Sequence, residues 1–161
     1  MKKYISLTQQ RRIFGSSVAG TTAMTLFSYL LSGPGARNFR EPNLLGKLIQ
    51  RVLPVKTKTS AQMAGWGLHY LVGLLFAETY APLWTGRPQA DMKTGLVLGG
   101  ISGIAAILIW RFTYAIHPYP PAVHFVLFAA QLFFAHVIFG VFTALGYDVA
   151  TKSANAIRHT G

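Results

Sequence analysis

The stretch from Trp66 to Trp84, WGLHYLVGLLFAETYAPLW, constrains this chain most. As an α-helix it rises ~1.5 Å per residue, so the two indoles stand about 27 Å apart, close to the ~30 Å hydrocarbon thickness of a bilayer. A helix of that length with a tryptophan at each end reads as a membrane span anchored at both interfaces. Gly65, His69, Gly73, Ala77 and Ala81 recur at every fourth position. That spacing lines one helix face with small residues, where a second helix can pack closely, and sets His69 in the seam. Glu78 lies about 100° round the helix from Ala77. It is the one carboxylate within any apolar stretch, and at that depth it needs a partner, a proton or water.

The rest of the chain repeats the pattern. Residues 13–32 run without a charge behind Lys2, Lys3, Arg11 and Arg12 and form a first span, with Ser17, Thr21, Thr25 and Ser28 as a small polar stripe suited to helix packing. Arg11-Arg12-Ile13-Phe14 also fits part of a twin-arginine export signal, but Pro34 interrupts the candidate cleavage site, so the segment is read as a retained helix. The second span covers 64–84. A third covers 95–116, with Gly95, Gly99 and Gly103 as a GxxxGxxxG packing seam and Arg111 snorkelling to the interface. His117-Pro118-Tyr119-Pro120-Pro121 forces a turn, because proline cannot continue a helix. A fourth span, 122–145, follows, and the polar tail from Asp148 is expected to fray.

Between the first two spans, Gly33-Pro34-Gly35 ends a helix and opens a loop holding Arg37, Arg40, Lys47, Arg51, Lys56 and Lys58 against Glu41 alone. Leu44, Leu45, Leu48, Ile49, Val52 and Leu53 lie on one side of a short helix, 43–53, started at Pro42-Asn43 and stopped by Pro54. Too short to span, it fits the membrane interface with Lys47 and Arg51 towards phosphates, or the end of the bundle. The sequence therefore predicts an all-α, single integral membrane domain over 1–161: four transmembrane helices in an up-and-down bundle plus one amphipathic interfacial helix. Lys and Arg divide almost evenly between the two faces, so the positive-inside rule gives no orientation.

Composition supports a bilayer. The chain is 52% hydrophobic and 12% charged, against about 25% charged in soluble domains. With no cysteine it has no disulfide, thiolate metal site or cysteine nucleophile. The net charge of +11 lies mostly between apolar segments and lacks base-stacking aromatics in a polar context, which favours anionic lipid headgroups over nucleic acid. Zinc-protease, phosphate-loop, nucleophile-elbow and Glu-x-x-His patterns are all missing, so no enzyme, metal or cofactor is expected.

What remains is a set of polar residues at membrane depth: Glu78, His69, His124, Gln131 and His136. Matching heights along antiparallel helices puts Glu78 level with His136, and His69 within about one turn of His124. The first pair could fix helix register or share a proton; the second could ligate a b-type haem from two sides.

The order Thr22-Ala23-Met24-Thr25, then Glu41-Pro42-Asn43-Leu44-Leu45-Gly46, then Trp66-Gly67-Leu68-His69-Tyr70-Leu71-Val72-Gly73 with Phe76-Ala77 and Tyr80-Ala81, resembles a broad set of uncharacterised four-helix bacterial inner-membrane proteins. The resemblance covers about the first half of the chain. It implies a four-span, multi-pass fold in the inner membrane, with His69 in its H-Y-x-x-G segment as a recurring feature, and it implies no activity.

Two function classes follow. The preferred one is a non-enzymatic bundle packing with membrane partners or with itself, through whichever glycine seam the fold leaves free. The alternative is a small oligomeric proton-coupled transporter using Glu78 and His136.

Overall fold

A computed structural model of the chain describes residues 7–54, 57–85 and 90–159. Among the described residues the regular structure is entirely helical: α1 (Leu7–Leu31), α2 (Glu41–Val52), α3 (Lys58–Trp84), α4 (Met92–Ile116) and α5 (Phe125–His159), with one short 3₁₀ turn at Gly35–Arg37. Lys2, Lys3, Lys56 and the centre of the turn after Trp84 (86–89) lie outside the described residues.

Local chemistry sets the helix ends. Gly35, at a φ of 65°, takes the left-handed backbone that reverses the chain after α1. Pro42 sits in the first turn of α2, where its missing N–H costs nothing. The Thr57 hydroxyl caps α3 by accepting from Ser60 N at 3.0 Å, and Asp91 caps α4 by accepting from Lys93 N and Thr94 N at 3.1 and 3.2 Å. Two expectations need correcting here. The tail does not fray at Asp148: α5 continues to His159, and the Asp148 carboxylate accepts from Ala90 N, which ties the end of the bundle together. Trp84 is not an interfacial anchor but is 1% exposed, its ring packed against Tyr80 and Tyr147.

The long helices run up and down. α1 lies antiparallel along α5, with Ser16 beside Gly146, Gly20 beside Phe139 and Thr143, and Ser28 bonded to Gln131. α3 lies antiparallel along α1, where Gly73 meets Thr21, His69 meets Thr25, and Tyr70 shares a 3.0 Å hydrogen bond with Thr22. α4 crosses α5 at backbone contact: a Cβ on Gly140 would strike the Gly95 carbonyl and lie 2.8 Å from Gly99 Cα. Only glycine permits that approach. α3 and α4, by contrast, scarcely touch. Among the described residues their polar link is Tyr80 Oη, which meets Ser102 Oγ at 2.6 Å and the Leu98 carbonyl at 3.0 Å.

α2 lies across one pole. Gly46 meets Gly65 of α3, and Leu44 and Leu48 are buried. Its far end is held by the α4–α5 turn, where His117 Nε2 donates to the Leu48 carbonyl at 3.1 Å and Arg51 donates to the Tyr119 carbonyl at 2.9 Å.

Two apolar clusters form the interior, one around Trp84, Phe139 and Tyr147 and the other around Trp110, Phe128 and Leu44. α4 and the Phe125–Lys152 stretch of α5 are long and apolar enough to cross a membrane. α1 and α3 fall short of the expected four, because serines, threonines and glycines dilute the apolar stretch of α1, and His69, Glu78 and glycines that of α3.

Candidate binding site between the two apolar clusters

Glu41 opens α2, and the start of the helix turns its side chain inwards rather than to solvent. Its Oε1 accepts from Ser28 Oγ of α1 at 2.7 Å and from Gln131 Nε2 of α5 at 3.0 Å. Gln131 Nε2 also donates to Ser28 Oγ, so one carboxylate joins three helices. The second carboxylate oxygen, Oε2, is buried with no hydrogen-bond partner, and so is Gln131 Oε1. Burial pushes the Glu41 carboxyl up to about 7, against the lowering pull of the bonds from Ser28 and Gln131.

The two buried histidines have fixed tautomers. The Thr25 hydroxyl gives its only proton to the Thr21 carbonyl at 2.6 Å, so the 2.8 Å contact with His69 requires His69 Nε2 to donate. The Leu132 carbonyl can only accept, so His136 Nδ1 donates across 2.9 Å. In the neutral rings the remaining nitrogens, Nδ1 of His69 and Nε2 of His136, are lone-pair acceptors with no partner among the described residues. The His136 ring also meets Phe76 edge-on, with centroids 5.7 Å apart.

His69, His136 and Glu41 line one cavity of about 110 Å³, between the two apolar clusters and on the side where α3 and α4 stand apart. Apart from Thr113 its walls are otherwise apolar, with Trp110, Phe76 and Phe139 contributing aromatic rings. At about 10–15 Å³ of such volume per water, it has room for roughly eight waters or a small organic molecule.

The sequence-predicted residues divide clearly. His69, Gln131 and His136 are buried, as expected. Glu78 is exposed on the outside of α3 and does not face His136, because its 100° rotation from the seam carries it outwards. His124 is exposed just before α5, where its carbonyl accepts from Phe128 N at 3.0 Å, and it does not line the cavity with His69. Haem b on a His69/His124 pair therefore does not fit.

The packing residues Gly65, Gly73, Ala77, Gly95, Gly99 and Gly103 are all buried at helix contacts. α2 and α1 take up the α3 seam, and α5 takes up the α4 seam. Among the described residues, the glycine seams of α3 and α4 are both taken up inside the bundle. Lys47 is half-buried; Arg51 and Arg111 are exposed, Arg111 with its guanidinium 5.6 Å from the Phe125 ring centroid.

The residue missed was Glu41. In the sequence it is one acid in a basic loop, although a lone carboxylate in the first turn of an amphipathic helix is well placed to point inwards. The Ser17–Ser28 stripe does more than pack: Thr25 and Ser28 are the partners of His69 and Glu41. Comparison with protein-family models, curated proteins and solved structures finds no match.

Proposed function

We propose that the chain is a four-span, multi-pass integral membrane bundle, of the bacterial inner-membrane kind its first half resembles, acting by binding rather than catalysis. The observation that carries this reading is the inverted packing. The buried face of α1 is mostly small and polar, Ser16, Ser17, Gly20, Thr21, Thr25 and Ser28, with Ile13 and Met24 as its apolar members. Large apolar side chains point outwards on every long helix: Phe14 and Leu26 on α1, Leu71 and Leu75 on α3, Ile104 and Leu108 on α4, Val126 and Phe134 on α5. In water such a surface would aggregate; against lipid it is matched.

Depth extends the argument to α1 and α3. α1 follows α5 from Ser16/Gly146 to Ser28/Gln131, within the apolar stretch of α5, so a bilayer that holds α5 surrounds α1 as well. α3 follows α1 in turn. Most hydroxyls of α1 are satisfied within the bundle: Ser16, Thr25 and Ser32 donate to carbonyls of their own helix and Ser28 to Glu41, while Thr21 Oγ1 is left without a partner. Lys47, Arg51 and Arg111 gather at the α2 pole, where anionic headgroups would meet them.

Because the chain has no cysteine, single cysteines at Thr8, Thr85, Lys47 and Tyr119 can be labelled in membrane vesicles with an impermeant maleimide. Thr8 and Thr85 should label from one side, Lys47 and Tyr119 from the other. Labelling of Thr85 and Tyr119 from the same side rejects the four-span arrangement.

A second reading, proton-coupled transport, loses Glu78 and His136 as its couple. Glu41 takes their place as the buried carboxylate with an unmet oxygen.

A further inference from the structure

The cavity presents an uneven set of polar groups. Its wall holds a carboxylate, Glu41, and two imidazoles whose uncommitted nitrogens accept, and no lysine or arginine. The charged and titratable groups around Glu41 are few. Arg40, next in sequence, carries its guanidinium 4.8 Å from the Tyr29 ring centroid and makes no ion pair with Glu41 among the described residues. Tyr29 of α1 lies beneath the Arg40 guanidinium; His69 of α3 and His136 of α5 line the same cavity, and α4 contributes Trp110 and Thr113. The Thr113 hydroxyl is already spent on the Ile109 carbonyl at 2.8 Å. A buried carboxylate with an unpartnered oxygen and no fixed cation beside it takes its counter-charge from a proton or from a ligand.

We infer that this cavity is a binding site for a small lipophilic ammonium ion, with Glu41 as counter-charge and His69 Nδ1 and His136 Nε2 as acceptors for its N–H groups. The class follows from complementarity. An ammonium brings N–H donors to a wall of acceptors, and Trp110, Phe76 and Phe139 supply ring faces that favour both a cation and an apolar body. An anion would meet a carboxylate with no cation, and a ligand with acceptors only would leave every polar group unpaired. The cavity belongs to the packed helices whichever solvent surrounds them, so it stands independently of the number of spans.

Proton balance follows from the same geometry. When Glu41 is protonated, binding of the cation sends that proton to the buffer; when it is ionised, nothing is released. With burial holding the carboxyl up to about 7, release approaches one proton per cation below neutrality and vanishes above it.

The test is titration calorimetry of the purified full chain with benzylammonium, whose ring and ammonium match the cavity in size, and with benzyl alcohol as its neutral counterpart. Measurements at about pH 6 and about pH 8.5, in buffers of different ionisation enthalpy, count the protons. The expected result is saturable binding of the cation, tighter at the higher pH, with proton release only at the lower. Glu41→Gln, which can keep the bonds to Ser28 and Gln131, should weaken benzylammonium at least about tenfold at the higher pH and leave benzyl alcohol unchanged. Absent saturation, equal affinity for alcohol and cation, or equal cation affinity in wild type and Glu41→Gln overturns the inference. If Glu41→Gln does not fold, the wild-type proton count decides: no release at the lower pH overturns it equally.

Discussion

The Gln131 side-chain amide donates to Glu41 Oε1 at 3.0 Å, joining residues 90 positions apart in the chain. Ser28 reaches the same oxygen from a third helix. The carboxylate thereby fixes how α1, α2 and α5 meet, and it does so without a compensating positive charge. Such a group holds structure best when it carries a proton.

The first prediction concerns pH. Glu41 titrates near its ordinary 4.5 when unfolded and at about 7 when folded, so the folded state holds the proton more tightly. The stability this supplies is complete below about 4.5, declines as pH rises through 7 and is then gone; the full span is up to about 3 kcal/mol. Thermal unfolding in detergent should show a midpoint that drops between mildly acidic and mildly alkaline solution. Glu41→Gln should flatten that part of the curve and be the more stable protein at the alkaline end. An unchanged slope in the variant rejects Glu41 as its source.

The second prediction contrasts two kinds of glycine. At Gly140 a methyl group would meet the Gly95 carbonyl and the Gly99 backbone, neither of which can move without parting α4 from α5. Gly140→Ala should therefore destabilise by roughly 1–3 kcal/mol. Gly67, with nothing within 4 Å of an added Cβ, should accept alanine and gain up to about 1 kcal/mol from helix propensity. Unfolding midpoints of the two variants should move in opposite directions; a loss at Gly67 matching that at Gly140 would show that propensity, not contact, was misjudged.

These glycines also mark what the sequence made legible. Spacing of four on α3 and α4 identified the contact faces correctly, because helix geometry alone decides which residues share a stripe. It did not say which neighbour each stripe meets: one end of the α3 seam receives α2 and its middle receives α1, and that depends on chain crossings no local pattern encodes. Glu78 drew attention for its depth, yet rotation carried it outside. Glu41 was passed over because a charged loop is ordinarily solvated, and its burial follows from Ser28 and Gln131, which lie far away in the sequence. Height along the bundle was readable from the sequence, and azimuth was not.

The third prediction tests that azimuth. Glu78 is exposed and no charged or hydrogen-bonding side chain faces it among the described residues. In the four-span reading that surface faces lipid, where a carboxylate needs a proton or water, so Glu78→Gln should hold or slightly raise unfolding stability. A loss of more than about 0.5 kcal/mol would restore a buried, structural role for this carboxylate.

The last prediction is spectroscopic and concerns the two imidazoles. Thr25 has one hydroxyl proton, and the Thr21 carbonyl takes it, which leaves His69 to donate from Nε2. His136 donates from Nδ1 to the Leu132 carbonyl one turn back in its own helix. The rings should therefore hold opposite tautomers when neutral, a difference that long-range nitrogen–proton correlation on histidine-labelled protein reads directly. Thr25→Val removes the acceptor for His69 and leaves a buried N–H unmet, a loss of about 1–3 kcal/mol; the His69 tautomer should then become mixed while His136 stays as it was. Matching tautomers in the wild-type protein would mean that at least one of the free nitrogens is not an acceptor, and the cavity would lose part of the chemistry that suits it to an N–H donor.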